Sequence, residues 1–230
     1  MTGSPLVFVP GLLCTESLYA PQITAFSDRP ILVADNRSDD TIGAIAARLL
    51  DVAPERFSLI GLSMGGYIAF EVLRRAPERV DRLALLNTSA QADTEDRREQ
   101  RRVLAKLAQK KRFHKIPDLF FPGFVHEKNE TSAHLRSIVH EMATETGAEA
   151  FIRQQNANAA RIDSRPSLAQ INCPTLVLSG DGDRLIAPDL SVDIHQLVAG
   201  SELVILEECG HLSTLEQPEE VTGKLRAFLA

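Results

Sequence analysis

Short apolar runs alternate with amphipathic stretches along most of the chain, and this alternation predicts the fold before any single residue is considered. Leu6-Val7-Phe8-Val9, Ile31-Leu32-Val33-Ala34, Phe57-Ser58-Leu59-Ile60, Val80 to Leu86, Thr175-Leu176-Val177-Leu178 and Leu203-Val204-Ile205-Leu206 are rich in β-formers. Each is predicted as a strand. Helical patterns separate them, over Glu16 to Phe26, Asp189 to Val198 and Pro218 to Leu229. The clearest is the run Ile42, Ile45, Ala46, Leu49 and Leu50, with its i, i+3, i+4, i+7 spacing and N-cap candidates at Ser38-Asp39-Asp40-Thr41. Strands that alternate with helices predict an α/β fold: a mostly parallel sheet of about six strands, with helices on both faces.

The alternation stops after Asn87-Thr88-Ser89 and resumes after Arg165-Pro166. Residues from Thr94 to about Ala160 carry helical patterns and no convincing strand, beginning with a strongly basic helix over Thr94 to Lys115. The expected organisation is a core domain of residues 1–90 and 166–230, with a helical insertion of residues 91–165 after the strand ending near Leu86. In the basic helix, Val103, Leu104 and Leu107 are expected as the apolar stripe. That assigns most of Arg97, Arg98, Arg101, Arg102, Lys106, Lys110, Lys111, Arg112 and Lys115 to a solvated face. Further on, Leu119-Phe120-Phe121-Pro122-Gly123-Phe124-Val125 gathers three of the ten phenylalanines around a proline and a glycine. An aromatic loop rather than a regular helix is predicted there.

Composition adds limits. With 230 residues, 44% hydrophobic and 24% charged, the chain has the makings of a globular protein with a sizeable core. A formal net charge of -6 argues against a general nucleic-acid binder. Cys14, Cys173 and Cys209 have no metal-ligand spacing and leave no complete disulfide set, which fits a reducing compartment, and a cytoplasmic location is expected. The apolar run from Pro5 to Cys14 is interrupted by Pro10-Gly11 and preceded by no basic residue, so neither a signal peptide nor a membrane span is predicted. No close histidine pair has ligand spacing, and no metal or other cofactor is assigned.

The chemistry concentrates where strands end. Gly61-Leu62-Ser63-Met64-Gly65 follows a buried strand and opens an amphipathic helix with Tyr67, Ile68, Phe70, Val72 and Leu73 as its apolar positions. A serine on so sharp a turn needs small neighbours, and its hydroxyl stands clear of the sheet, beside the positive end of the helix dipole. Two more groups lie at strand ends: an aspartate at 181 or 183 in Gly180-Asp181-Gly182-Asp183, and the histidine of Gly210-His211. Ligands of open α/β sheets bind at such ends. A serine near neutral pH needs a base within reach, and that base needs a partner to fix its tautomer.

These three motifs, in the order Ser, Asp, His, with Pro188 after the second and Glu216-Gln217-Pro218 after the third, resemble the α/β-hydrolase family over essentially the whole chain. The resemblance implies Ser63 as nucleophile, His211 as base and, three residues after the strand-end Gly180, Asp183 as the orienting acid. It also implies an oxyanion hole from the amides of Leu12 and Met64, with Pro10-Gly11 standing where the family has His-Gly. The family's first two strands have no counterpart, and Asp35-Asn36-Arg37 is expected to be structural. The insertion corresponds to the family's cap, and Phe120, Phe121 and Phe124 are expected to line the acyl pocket. The implied activity is a serine hydrolase acting on a carboxylic ester or lactone, or a thioester, whose small-molecule substrate carries an apolar part. The same constellation serves carbon–carbon bond hydrolases, proton-abstracting lyases and, in another class, receptors that bind without turnover.

Overall fold

A computed structural model describes residues 3–230, apart from the side chain of Lys111. In chain order the elements are β1 (Leu6–Val9), a 3-10 turn (Glu16–Tyr19) running into α1 (Ala20–Ala25), β2 (Ile31–Val33), α2 (Ile42–Val52), β3 (Phe57–Leu62), α3 (Met64–Arg75) and β4 (Val80–Leu86). There follow α4 (Glu95–Leu107), two irregular turns, α5 (Ile116–Phe124), α6 (Ala133–Ala160) and α7 (Arg165–Leu168). The chain closes with β5 (Thr175–Gly180), α8 (Asp189–Leu197), β6 (Glu202–Leu206), α9 (Ser213–Glu216) and α10 (Pro218–Leu229).

The six strands of the described residues join one parallel sheet in the order β2-β1-β3-β4-β5-β6. Every residue of β1, β3 and β5 is buried. Side chains on a strand alternate between faces, so full burial means that helices cover the sheet on both sides. The edge strands β2 and β6 are only partly covered. The chain leaves β1 toward one edge and returns to continue on β1's other side. The order therefore reverses between β1 and β3, and a crevice opens at their C-terminal ends.

Between β4 and β5 the described residues form helices and no strand. Helix α4 begins at Thr94, whose hydroxyl accepts the Arg97 amide, with Glu95 and Asp96 in its first turn. Leu104 and Leu107 turn inward against the core, whereas Val103 is 56% exposed. One step along a helix is a rotation of about 100°, so a residue adjacent to Leu104 leaves its face. The aromatic stretch is also not a loop. It lies in α5, which contains Pro122 and ends at Phe124. A proline this close to the C-terminal end interrupts little of the helix, and Phe121 and Phe124 bury themselves on one side of it. Helix α6 breaks at Gly147 (φ 75°, ψ 164°), so its 28 residues form two helices in tandem. None of the described helices is long and apolar enough to cross a membrane.

Candidate active site

Ser63 separates β3 from α3 at φ 57° and ψ -115°, a left-handed conformation that a side chain adopts only under constraint. The constraint is steric. A Cβ on Gly65 would lie 1.9 Å from the Val9 carbonyl oxygen, and one on Gly61 would lie 2.5 Å from the Gly65 oxygen. The turn therefore closes only with glycine on both sides. Hydrogen bonds then hold it: the Ser63 amide donates to Leu86 (2.9 Å), and the Thr88 hydroxyl donates to the Ser63 carbonyl (2.7 Å).

His211 follows β6 and is 2% exposed. Its Nδ1 is 2.7 Å from Asp183 Oδ2, which fixes Nδ1 as the protonated nitrogen and leaves Nε2 as the basic one. The His211 ring also stacks on Phe124, with centroids 6.1 Å apart and planes at 11°. Asp183 is buried and richly bonded. Its Oδ1 accepts the amides of Leu185 (3.0 Å) and Ile186 (2.9 Å), and its Oδ2 also accepts from Asn87 Nδ2 (3.0 Å). Asp181 is exposed and accepts the Cys209 amide instead. Of the two aspartates, Asp183 is the one that touches His211.

Asn87 carries no motif in the sequence, yet it ties the site together. At φ 47° it ends β4, donates to Asp183 and to the Gly210 carbonyl (3.1 Å), and accepts from the Ser213 hydroxyl (2.6 Å). Its sequence signal is slight: a polar residue at a strand end, of a type that tolerates positive φ.

The loop after β1 lies against the serine turn, with Gly11 close to Leu62 and Ser63. A buried amide network holds it. Asn36 donates to the Pro10 (3.0 Å) and Gly11 (2.9 Å) carbonyls, and Gln154 of α6 donates to Asn36. Gln154 also accepts the amide of Leu13 (3.1 Å), which sits at φ 61°. Asn36 thus has a structural role, the one expected of its motif. Gln154 lies more than a hundred residues away in sequence, and nothing local announces it.

Ser63, His211, Leu12, Phe120 and Phe124 all line one cavity of about 280 Å³ at the β1/β3 crevice. Phe121 does not. It is fully buried, with the Arg136 guanidinium 4.3 Å from its ring centroid. Phe121 is adjacent to Phe120 on α5, so its ring turns to another side. Arg97 and Arg101 of the basic helix line the cavity, while Arg102 stays in solvent, paired with Glu95 and Glu99. Arg97 borders the cavity while staying exposed, as expected of the solvated face; Arg101 is half-buried and leaves it. Arg101 pairs with Asp93, which Arg161 also contacts at 2.7 Å. Burial alone would raise the Asp93 pKa, but the bonds and charges of the two arginines outweigh it and hold the carboxyl below its usual range. Cys14 also borders the cavity, but burial pushes its thiol up to about 12, so it is no thiolate near neutral pH. Among the described residues, no hydrogen bond joins the Ser63 hydroxyl to the His211 ring, and no cluster of three or more His, Cys, Asp or Glu side chains is placed to hold a metal ion.

A strained serine at a strand-to-helix turn, beside a histidine–carboxylate pair on a parallel sheet, defines a class. Residues 25–218 match the model of the alpha/beta hydrolase fold, and the chain belongs to that family. A protein of Rhizobium rhizogenes assigned as the carbamate hydrolase RutD is 28% identical over 97% of this chain and 92% of its own length. The Escherichia coli 2-hydroxy-6-oxononadienedioate/2-hydroxy-6-oxononatrienedioate hydrolase is 28% identical over 79% of this chain and 64% of its own. Among solved structures, a thermophilic esterase from Thermogutta terrifontis superposes with a TM-score of 0.90 at 27% identity, over 99% of this chain and 90% of that one. The enol-lactonase of Burkholderia xenovorans gives 0.88 at 25%, over 100% and 92%.

Proposed function

We propose that this hydrolase opens a carboxylic ester or lactone, thioesters included, through an acyl-enzyme on Ser63, beneath a cap formed by residues 91–165. The observation that carries this reading is the shared cavity: a strained Ser63 and a His211 whose tautomer Asp183 fixes open onto the same 280 Å³. His211 Nε2 takes the Ser63 proton as the oxygen attacks the substrate carbonyl, which requires a serine rotamer turned toward the imidazole. Asp183, held by two backbone amides and Asn87, stabilises the imidazolium that forms. The Met64 amide, at the N-terminus of α3, and the Leu12 amide receive the oxyanion. Protonated His211 then gives its proton to the leaving oxygen, and water repeats the sequence to release the acid.

The cavity is at the small end of ligand sites, for which about 300–1,000 Å³ is usual. The rings of Tyr67, Phe120 and Phe124 on its wall favour an apolar portion in the substrate. Phe120→Ala is expected to lower kcat/KM for longer acyl esters more than for acetyl esters, by about 1–3 kcal/mol in transition-state binding. Phe121→Ala is expected to cost about 3–5 kcal/mol of stability instead. Melting curves and an acyl-length series on both variants check the contrast; equal loss of stability would place both rings in the core alone.

Gln154→Ala is expected to lower kcat about tenfold, since Leu13 then loses the acceptor that holds its strained backbone. A fall in melting temperature with kcat intact would limit Gln154 to stability. A carbon–carbon hydrolase is the second reading, supported by the Escherichia coli relative. Steady-state assays on short p-nitrophenyl esters, a γ-lactone and a vinylogous diketone decide between them. Repeated turnover of the first two is expected; turnover of the diketone alone would reverse the order, and binding without turnover would remove both.

A further inference from the structure

The described residues lining the cavity include three arginines, Arg97, Arg101 and Arg184, and not one aspartate or glutamate. In a chain with 31 acidic and 25 basic residues, so one-sided a wall calls for a cause. Two of the arginines are engaged by carboxylates outside the cavity lining. Arg184 pairs with Glu130 at 2.7 Å, which neutralises it. Arg101 pairs with Asp93, but Asp93 is shared with the buried Arg161, so that group keeps one positive charge in excess. Arg97 forms no ion pair with any described residue; its only polar side-chain contact among them is a 3.4 Å bond to the Leu185 carbonyl. The helical side of the cavity thus carries two uncompensated positive charges. The Arg101 side chain is mostly buried, which strengthens its field at the ligand, whereas Arg97 is exposed and more strongly screened.

A second group on this wall is unsatisfied. Asn158, on α6, lines the cavity and is 2% exposed, and its amide oxygen has no hydrogen-bond partner among the described residues. Buried amides are usually hydrogen-bonded. That oxygen accepts, so it would be met by a donor on a ligand, such as a hydroxyl, and the anion falls to the arginines alone.

We infer that the helical wall is a carboxylate subsite, in which Arg97 and the excess charge at Arg101 bind an anionic group of the substrate while its ester or lactone carbonyl meets Ser63. The substrate class is then an ester or lactone bearing a free carboxylate beyond a short apolar spacer, which passes Phe120 and Phe124. Guanidinium is suited to this, since its planar donors match a carboxylate. This rests on the hydrolase reading above and narrows it.

Two matched pairs of esters test it. Mono(4-nitrophenyl) adipate against 4-nitrophenyl hexanoate places the charge on the acyl side; 4-acetoxybenzoate against its methyl ester places it on the leaving group. Turnover is measured with the wild-type protein, and binding by titration calorimetry in the Ser63→Ala protein, where no reaction is needed. In at least one pair the anionic member should be preferred about tenfold in both measurements. Arg97→Gln should remove most of that preference, Arg102→Gln on the outer face of the same helix should keep it, and rising salt should shrink it. Equal handling of both members of both pairs, or a preference that Arg97→Gln leaves intact, overturns the subsite. Neutral esters turned over without an anionic preference would sink this inference alone. No turnover of any ester, with anion-selective binding retained, would instead sink the hydrolase reading and keep the subsite.

Discussion

Ser63→Ala is expected to lower kcat for ester hydrolysis by about 10^6-fold, the scale seen when a nucleophile acting in concert with its base is removed. The fold should survive. Alanine at φ 57° suffers the same backbone strain as serine, and the bonds that hold the turn run through the Ser63 amide and carbonyl rather than its hydroxyl. Melting temperature should therefore be unchanged while turnover vanishes. Steady-state rates on a p-nitrophenyl ester, beside a thermal scan, check both halves. Ester turnover within tenfold of wild type would remove the serine mechanism, and a collapsed melting curve would show that the hydroxyl itself supports the turn.

The second large effect is expected at Asp183. Asp183→Asn keeps shape and size, but its amide N–H2 would face Nδ1 and favour the imidazole tautomer whose Nε2 carries the proton. His211 could then no longer accept from Ser63, and a loss of about 10^4-fold in kcat is expected on the precedent of other triads. Asp181→Asn should be mild, since that side chain is exposed and only caps the Cys209 amide. Parallel kinetics on the two variants measure the ranking; the reverse order would mean that the carboxylate bonded to His211 is not the one that orients it during turnover.

The features legible in the sequence and those hidden from it divide along physical lines. All six strands are visible, because a continuous apolar run bounded by turn residues is, in a globular chain, most often a buried strand. Their ends bring Ser63, Asp183 and His211 into one neighbourhood by sheet topology alone. Two of the supporting amides are invisible. Asn87 and Gln154 act through contacts that span the fold, and a lone Asn or Gln has no periodicity to betray it. The helical segment is harder again, because its chemistry depends on which side of each helix faces the sheet. Val103 and Leu104 are neighbours in sequence but lie on different faces, and so are Phe120 and Phe121. Pro122 reads as a helix breaker along the sequence, whereas α5 keeps it two residues before its end, losing the backbone bond that proline cannot donate but leaving little helix beyond it to kink. Arg97 and Arg101 follow the same logic: a charge run is normally solvated, and only the docking of α4 turns two of its members toward the cavity.

The proposed chemistry stands or falls with Ser63 as the nucleophile of this cavity. Labelling with a fluorophosphonate, followed by mass spectrometry of the digested protein, addresses that role without any assumption about the substrate. One adduct is expected, on the peptide containing Ser63, absent from the Ser63→Ala protein and strongly slowed in Asp183→Asn. An adduct on any other residue, or an unlabelled Ser63 in a preparation that still hydrolyses esters, would contradict it.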